Sequence, residues 1–271
     1  MTVINTNVNA LQATNASNTA AMMTSQAMTR LSTGKRINSA SDDAAGLAIA
    51  TSMTSQINAL NQGVKNANDG ISLSQTAQGS LDEVTNMLQR VRTLAVQSQN
   101  STYSSDDRSN MNSEVSALKD QISNIVSNTK FNGKAVFSGT STETTFSIQA
   151  GNDAITLTSK GLSWDVAGGK SSLDVSSATS ATTTVAAVDD LLKNVAATNS
   201  TLGAGQNQLQ SAVNNMTNTS TNLAAARSRI QDADYSAEST AMAKAQILSQ
   251  ASTAMIAQAN QSQQNVLSLL K

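Results

Sequence analysis

Residues 241–270 read AMAKAQILSQASTAMIAQANQSQQNVLSLL, and they lie within a stretch, 206–271, that contains neither glycine nor proline. Positions separated alternately by four and three residues fall on one face of a helix, and this alternation holds from 241 to 269. These positions are Ala241, Ala245, Leu248, Ser252, Met255, Ala259, Ser262, Val266 and Leu269, and alanine and serine outnumber the large apolar side chains among them. Because small side chains bury little apolar area, such a helix needs partners along its length.

The first part of the chain repeats the same spacing and supplies one partner. The repeating positions are Ile4, Val8, Leu11, Asn15, Asn18 and Met22. Residues 3–33 are predicted to form a helix that ends at Gly34, because a glycine favours the left-handed conformation that often follows a helix. We therefore predict a mainly α fold in which both chain ends pair as a long antiparallel helical bundle or coiled coil.

Further helices are predicted in the middle of the chain. A second, very long helix begins after Ser41 or Asp42, either of which can cap it. A third helix covers 105–128 and is preceded by the capping-box pattern of Ser104 and Asp107. Four glycines fall in the second helix, and both tolerated surface positions and close backbone packing can explain them: Gly46, Gly63, Gly70 and Gly79.

A small β region follows the third helix. Asn132-Gly133 is a strong tight-turn signal. Thr145–Gln149 and Ala154–Thr158 alternate with a period of two, which is typical of a β-hairpin. Helix is predicted to resume near residue 185 and to continue to about 230, before the terminal helix.

The composition argues against several classes of protein. A net charge of −1 gives no reason to expect nucleic acid or an anionic membrane as a partner. The chain has no histidine and no cysteine, which removes the commonest general base, the commonest metal ligand and every thiolate. We therefore predict no enzyme, no catalytic or metal site and no cofactor. No apolar run approaches the roughly 18 residues that cross a bilayer, and no cleavable secretion signal is visible.

Adjacent acidic residues are the remaining candidates for acid–base chemistry. They occur at Asp42-Asp43, Asp82-Glu83, Asp106-Asp107 and Asp189-Asp190. Three of these four pairs fall at predicted helix starts, where capping and the helix dipole account for acidic side chains. Capping is therefore favoured over catalysis.

Long ordered motifs at both ends of the chain resemble bacterial flagellin. They are LSTGKRINSASDDAAGLAI at 31–49, LQRVRTLAVQ at 88–97, FNG at 131–133, LGA at 202–204, SRIQDADY at 228–235, QANQ at 258–261 and VLSLL at 266–270. The resemblance covers everything except about 138–184.

This resemblance implies a short flagellin that polymerises into the helical flagellar filament used for swimming. It implies secretion through the flagellar type III apparatus to an extracellular location, with an export chaperone, hook–filament junction proteins and a cap protein as partners. It also implies an inner coiled-coil domain of 1–44 plus 232–271, and an outer helical-bundle domain of 45–231 with its β segment at about 130–184. A secreted coiled-coil adhesin or a type III translocator-like protein is the alternative.

Residues expected to carry function follow from the same resemblance and from the helix seams. The self-assembly residues are Ile4, Val8, Leu11, Lys35, Arg36, Leu248, Met255, Val266 and Leu269. Lys35 and Arg36 could bind an anion, satisfy the carbonyls at a helix end or contact another subunit. By resemblance, Arg90, Leu94 and Glu114 would bind the vertebrate Toll-like flagellin receptor. We also expect the two chain ends to be disordered in the free monomer and to fold on assembly.

Overall fold

The structure is a computed structural model that describes residues 6–140, 142–151, 153–164 and 172–268, with the backbone alone for 266–268. Five helices account for most of these residues: α1 (Val8–Thr33), α2 (Ala44–Ser98), α3 (Ser105–Asn128), α4 (Ala178–Gln231) and α5 (Tyr235–Ser268). The mainly α class is confirmed. Of the predicted self-assembly residues, Ile4 and Leu269 lie outside the described residues, and the side chain of Val266 does too.

Two antiparallel hairpins lie between α3 and α4. The first pairs β1 (Lys130–Phe131) with β2 (Lys134–Ala135) around Asn132 and Gly133, whose φ angles are 49° and 80°. The second pairs β3 (Thr144–Ala150) with β4 (Asp153–Ser159), in a register that places Thr144 opposite Ser159 and Ala150 opposite Asp153. The turn predicted at Asn132-Gly133 and the hairpin predicted from the alternating strands are therefore both present.

The helix boundaries agree with the sequence to within a few residues, and the largest difference is at the start of α4. The helix α3 and its Ser104–Asp107 capping box lie where predicted. However, α4 begins at Ala178 and not near 185, with the side chain of Ser177 accepting a hydrogen bond from the backbone of Ser180. The first turns of α4 are rich in Ser and Thr, which have weak helix propensity, and they are helical because Ala181 and Thr184 are buried.

The chain separates into two compact units, residues 1–57 with 221–271 and residues 58–220. We call the first the terminal unit and the second the body. The domain boundaries predicted from the sequence, 44/45 and 231/232, lie next to the connectors between helices. The compact units divide instead at 57/58, within α2, and at 220/221, within α4. The predicted division stays a prediction.

The body has a hydrophobic core of its own. Large aliphatic side chains from its helices are fully buried, among them Leu81, Leu88, Val91, Val115, Ile122 and Leu202. The one tryptophan, Trp164, lies in the same cluster with 2% of its surface exposed. A second cluster joins β4 to α4 through the contacts of Leu157 and Leu209. The buried large side chains are thus concentrated in the body.

Glycine allows the β3–β4 hairpin to lie directly on the helices of the body. A Cβ atom added at Gly63 would collide with the backbone nitrogen of Gly151 and would lie 2.8 Å from the sulfur of Met216. A Cβ atom added at Gly205 would collide with the side chain of Leu157. Gly79, in contrast, has open space beside it. Close packing therefore explains Gly63, and Gly79 is a tolerated surface position.

Replacing Gly63 by alanine should destabilise the body. The added methyl group must displace the hairpin turn, so we expect Gly63→Ala to lower the free energy of unfolding by about 1–3 kcal/mol. The matched control, Gly79→Ala, should raise it by up to about 1 kcal/mol because alanine is the better helix former. Urea unfolding, monitored by circular dichroism, measures the free energy of unfolding of both variants. If Gly63→Ala stabilised the body as much as Gly79→Ala does, the close contact at Gly63 would be contradicted.

Candidate functional site

The helices at the two ends of the chain, α1 and α5, pack against each other in the terminal unit. The side-chain amide of Asn7 donates to the carbonyl oxygen of Ala259 at 3.0 Å, which joins the start of α1 to the C-terminal part of α5. At the other end, the guanidinium of Arg30 lies 3.7 Å from the carboxylate of Glu238. The two helices therefore run antiparallel, as predicted.

Small residues form the contact between α1 and α5. Ala20 and Ala27 on α1, and Ala245 and Ser252 on α5, each have at most 5% of their surface exposed. These four residues, which we call the seam, lie seven positions apart within each helix, so they recur on one face. Ala259 continues the series one heptad further and is partly buried. The alternation predicted for α5 is thus correct at three of its positions.

The large apolar residues that were predicted for this contact, and whose side chains the structure describes, are exposed to solvent. That part of the prediction is wrong. Leu11 is 56% exposed, Met22 66% and Met255 61%, while Val8 and Leu248 are also exposed. The predicted face combined small residues with large apolar ones, whereas the buried residues described in α1 and α5 are alanine and serine alone. We call Val8, Leu11, Met22, Leu248 and Met255 the solvent-facing set.

Two open grooves run between α1 and α5. The larger has a volume of about 790 Å³ and is lined by Ala21, Met28 and Gln246, among others. The other, of about 430 Å³, is lined by Ala13, Leu248, Met255 and Ala259 together with polar residues. Exposed apolar side chains beside grooves are typical of surfaces that bind another protein. The solvent-facing set therefore has the character of an interaction surface.

The connector after α1 is bound to the end of α4. The backbone nitrogen of Arg36 donates to the carbonyl of Gln231 at 2.7 Å, and its guanidinium donates to the carbonyl of Ile230 at 2.8 Å. Lys35 forms an antiparallel β-bridge with Asp232. Of the three roles considered for Arg36, satisfying helix-end carbonyls is the one seen here, although the helix is α4 and not α1. Subunit contact by Lys35 and Arg36 stays a prediction.

Asp42 and Asp43 have separate structural roles in the connector. The carboxylate of Asp43 accepts from the backbone of Gly46 at 2.8 Å and caps α2, which corrects the predicted cap of Ser41 or Asp42. The backbone N–H groups of Ser39 and Asn38 donate to Asp42 and hold the pKa of its carboxyl below the usual range. This pair of acids is therefore accounted for by turn and helix capping.

Ion pairs account for the acids of α4. The guanidinium of Arg92 on α2 lies 2.8 Å from the carboxylate of Asp189, and Lys193 lies 2.9 Å from Asp190. The interaction with Asp189 raises the pKa of Arg92. Because α4 begins at Ala178, this acid pair lies inside the helix and not at its start. The prediction that it caps a helix is wrong.

The three residues proposed for receptor binding have different environments. Arg90 Nε lies 2.7 Å from Glu114 Oε1, and about half of each side chain is exposed. The hydrogen bond to Glu114 raises the pKa of Arg90. Leu94 is only 3% exposed and belongs to the body's core with Val91. Arg90 and Glu114 therefore form a surface pair between α2 and α3, whereas Leu94 packs beneath the surface.

Among the described residues, no helix is long and apolar enough to cross a membrane. The same residues contain no cluster of three acidic side chains that could hold a metal ion.

Comparison with known proteins decides the family. A model of the bacterial flagellin N-terminal helical region matches residues 4–142, and a model of the bacterial flagellin C-terminal helical region matches residues 185–270. The chain belongs to the flagellin family. Flagellin is a structural protein, and this chain is a structural subunit of the flagellar filament, which confirms the function predicted from the sequence.

Individual relatives extend the match over nearly the whole flagellin chain. A flagellin of Halalkalibacterium halodurans is 43% identical over 251 residues, covering 91% of each chain. The flagellar filament 33 kDa core protein of Treponema phagedenis is 38% identical and covers 99% of this chain and 100% of its own. A solved structure, a putative flagellar hook-associated protein from Vibrio parahaemolyticus, shares the fold with a TM-score of 0.61 at 18% identity, covering 70% of this flagellin and 100% of that chain.

Proposed function

We propose that this flagellin polymerises outside the cell into a helical filament, and that the solvent-facing set supplies contacts between its copies. The observation that carries the proposal is the exposure of Val8, Leu11, Met22, Leu248 and Met255 beside a seam of alanine and serine. An isolated subunit leaves these apolar side chains in water. Covering them with equivalent surfaces of neighbouring copies removes that area from water, which is the main favourable term in association.

The seam also supports a coupling between folding and assembly. Ordering the backbone costs about 1–2 kcal/mol per residue, and α1 and α5 contain 26 and 34 residues. Alanine and serine bury too little apolar area, at about 25 cal/mol per Å², to offset this cost along the whole pair. The two ends therefore gain their stability from neighbouring copies. An unfolded end also suits passage through a narrow export channel.

Membership of the flagellin family supports a set of accessory partners. We infer export through the flagellar type III apparatus with the help of a chaperone, followed by assembly beneath a cap onto hook–filament junction proteins. The exposed apolar side chains of α5, Ile247 and Leu248 among them, give a chaperone a surface to shield before assembly.

Polar substitutions in the solvent-facing set should impair polymerisation. Leu11→Gln and Met255→Gln place an amide where a neighbouring copy would bury an apolar side chain. Because an unpaired buried polar group costs about 1–3 kcal/mol, the concentration of subunit that remains unassembled should rise about tenfold or more. Seeded growth followed by electron microscopy and sedimentation measures this concentration.

Matched apolar variants are the control for this experiment. Leu11→Met and Met255→Leu keep size and apolar character and should assemble like the original chain. Normal assembly of both glutamine variants would contradict the proposal that the solvent-facing set lies at the interface between copies. Failure of the unsubstituted chain to form helical filaments would contradict the proposed function itself.

We further propose that Arg90 and Glu114 form part of a surface for the vertebrate Toll-like flagellin receptor. Their mutual ion pair presents a half-exposed guanidinium and carboxylate on neighbouring helices of the body. Leu94 contributes by supporting α2 from the core, since its own side chain is buried. Packing of copies in the filament would cover this surface, so the free subunit is the active form.

Replacing Arg90 by alanine should weaken receptor activation by the monomer about tenfold, within the range of an interface hot spot. A reporter assay with the vertebrate receptor measures the concentration for half-maximal activation. Lys193→Ala, which also removes an exposed ion-paired cation of the body, is the control and should leave activation unchanged. Equal activation by the original chain and Arg90→Ala would rule out this surface.

A further inference from the structure

Four methionines of the terminal unit expose their side chains to solvent. Met22, Met23, Met28 and Met255 have between 51% and 66% of their surface exposed. The methionines of the body are less accessible, and Met111 and Met216 are 9% and 6% exposed. The thioether sulfurs that a small oxidant can reach are thus concentrated on α1 and α5.

Each exposed methionine lies at a concave part of this surface. Met28 lines the groove of about 790 Å³ and Met255 lines the groove of about 430 Å³. Met22 and Met23 line a third concavity, of about 470 Å³, on α1. A side chain of another copy that fills one of these concavities would therefore cover the neighbouring sulfur.

We infer that Met22, Met23, Met28 and Met255 are sites of reversible oxidation by hydrogen peroxide, and that their oxidation blocks assembly of the free subunit. The inference rests on the proposed function, because it concerns the surface through which copies associate.

The oxidation step needs only peroxide. A lone pair of the thioether sulfur attacks one peroxide oxygen, the sulfur–oxygen bond forms and the oxygen–oxygen bond breaks. The released hydroxide takes the remaining proton and leaves as water. The sulfur is oxidised by two electrons and the peroxide is reduced by two. A methionine sulfoxide reductase reverses the change by using two thiols, which become a disulfide as the sulfoxide oxygen leaves as water.

Oxidation changes the chemistry of the surface from apolar to polar. The sulfoxide oxygen is a hydrogen-bond acceptor, and burying it without a donor opposes association. Threonine hydroxyls near these methionines are already engaged. Thr19 donates to the carbonyl of Asn15 at 2.9 Å, and Thr24 donates to the carbonyl of Ala20 at 2.9 Å. These hydroxyls must break an existing bond before they can satisfy the new acceptor.

The order of oxidation is the first test. The full-length monomer is treated with increasing hydrogen peroxide, and each methionine is followed by peptide mass spectrometry. Met22, Met23, Met28 and Met255 should become sulfoxide before Met111 and Met216 do. In assembled filaments the same four should react more slowly, because neighbouring copies would cover their sulfurs. Simultaneous oxidation of buried and exposed methionines in the folded monomer would overturn the assignment of sites.

Assembly of the oxidised subunit is the second test. After peroxide treatment, the concentration of subunit that remains unassembled in seeded growth should rise about tenfold or more, because a buried sulfoxide oxygen would lack a hydrogen-bond donor. Treatment with methionine sulfoxide reductase and a thiol should restore assembly. Sulfoxide at all four positions with unchanged assembly would overturn the inference.

Leucine variants separate these four residues from the other methionines. The variant M22L/M23L/M28L/M255L should assemble before and after peroxide treatment, since leucine has similar size and no sulfur. The control M111L/M216L should lose assembly on treatment as the original chain does. If the variant M22L/M23L/M28L/M255L lost assembly on peroxide treatment as much as the original chain does, the effect would belong to other residues and the inference would be overturned. An untreated original chain that forms no filaments contradicts the proposed function instead, and the order of oxidation still tests the four sites.

Discussion

The close approach of α1 and α5 through alanine and serine is the constraint on which the terminal unit depends. Ala20, Ala27, Ala245 and Ser252 bring the two backbones together but remove little apolar surface from water. Most of the larger apolar side chains described in both helices face outward, and Leu11 and Met255 are more than half exposed. A contact of this kind defines the geometry of the pair while leaving most of its stabilisation to other molecules.

The body buries its apolar side chains in a different way from the terminal unit. Gly63 and Gly205 allow the β3–β4 hairpin to lie against α2 and α4. Large aliphatic residues such as Leu88 and Ile122 are fully buried in the body's other cluster. The body therefore buries clusters of large side chains within a single chain, whereas the buried side chains described in α1 and α5 are alanine and serine. A subunit built in this way can carry a stable folded region and still depend on its neighbours for the structure of its ends.

The sequence predicts most of the secondary structure because helix caps and turns are local signals, as at Ser104 with Asp107 and at Asn132 with Gly133. It does not predict the start of α4 or the register of α1 against α5, because tertiary packing decides both. The environment of Leu94 is likewise a tertiary property: its sequence neighbours do not say which side of α2 the core lies on. For the solvent-facing set, the sequence predicted large apolar side chains on one face of each helix, but it did not show that this face lies away from the contact between α1 and α5. Their role in self-assembly stays a prediction.

Hydrogen exchange of backbone amides in the free subunit and in the assembled filament tests the central claim most directly, namely that the paired chain ends depend on neighbouring copies for stability. The account predicts rapid exchange throughout 8–33 and 235–268 in the free subunit, with protection of the body's helices. In the filament, both regions should be protected. Equal protection of α1 and α5 before and after assembly would contradict it, because the alanine and serine seam would then be sufficient by itself.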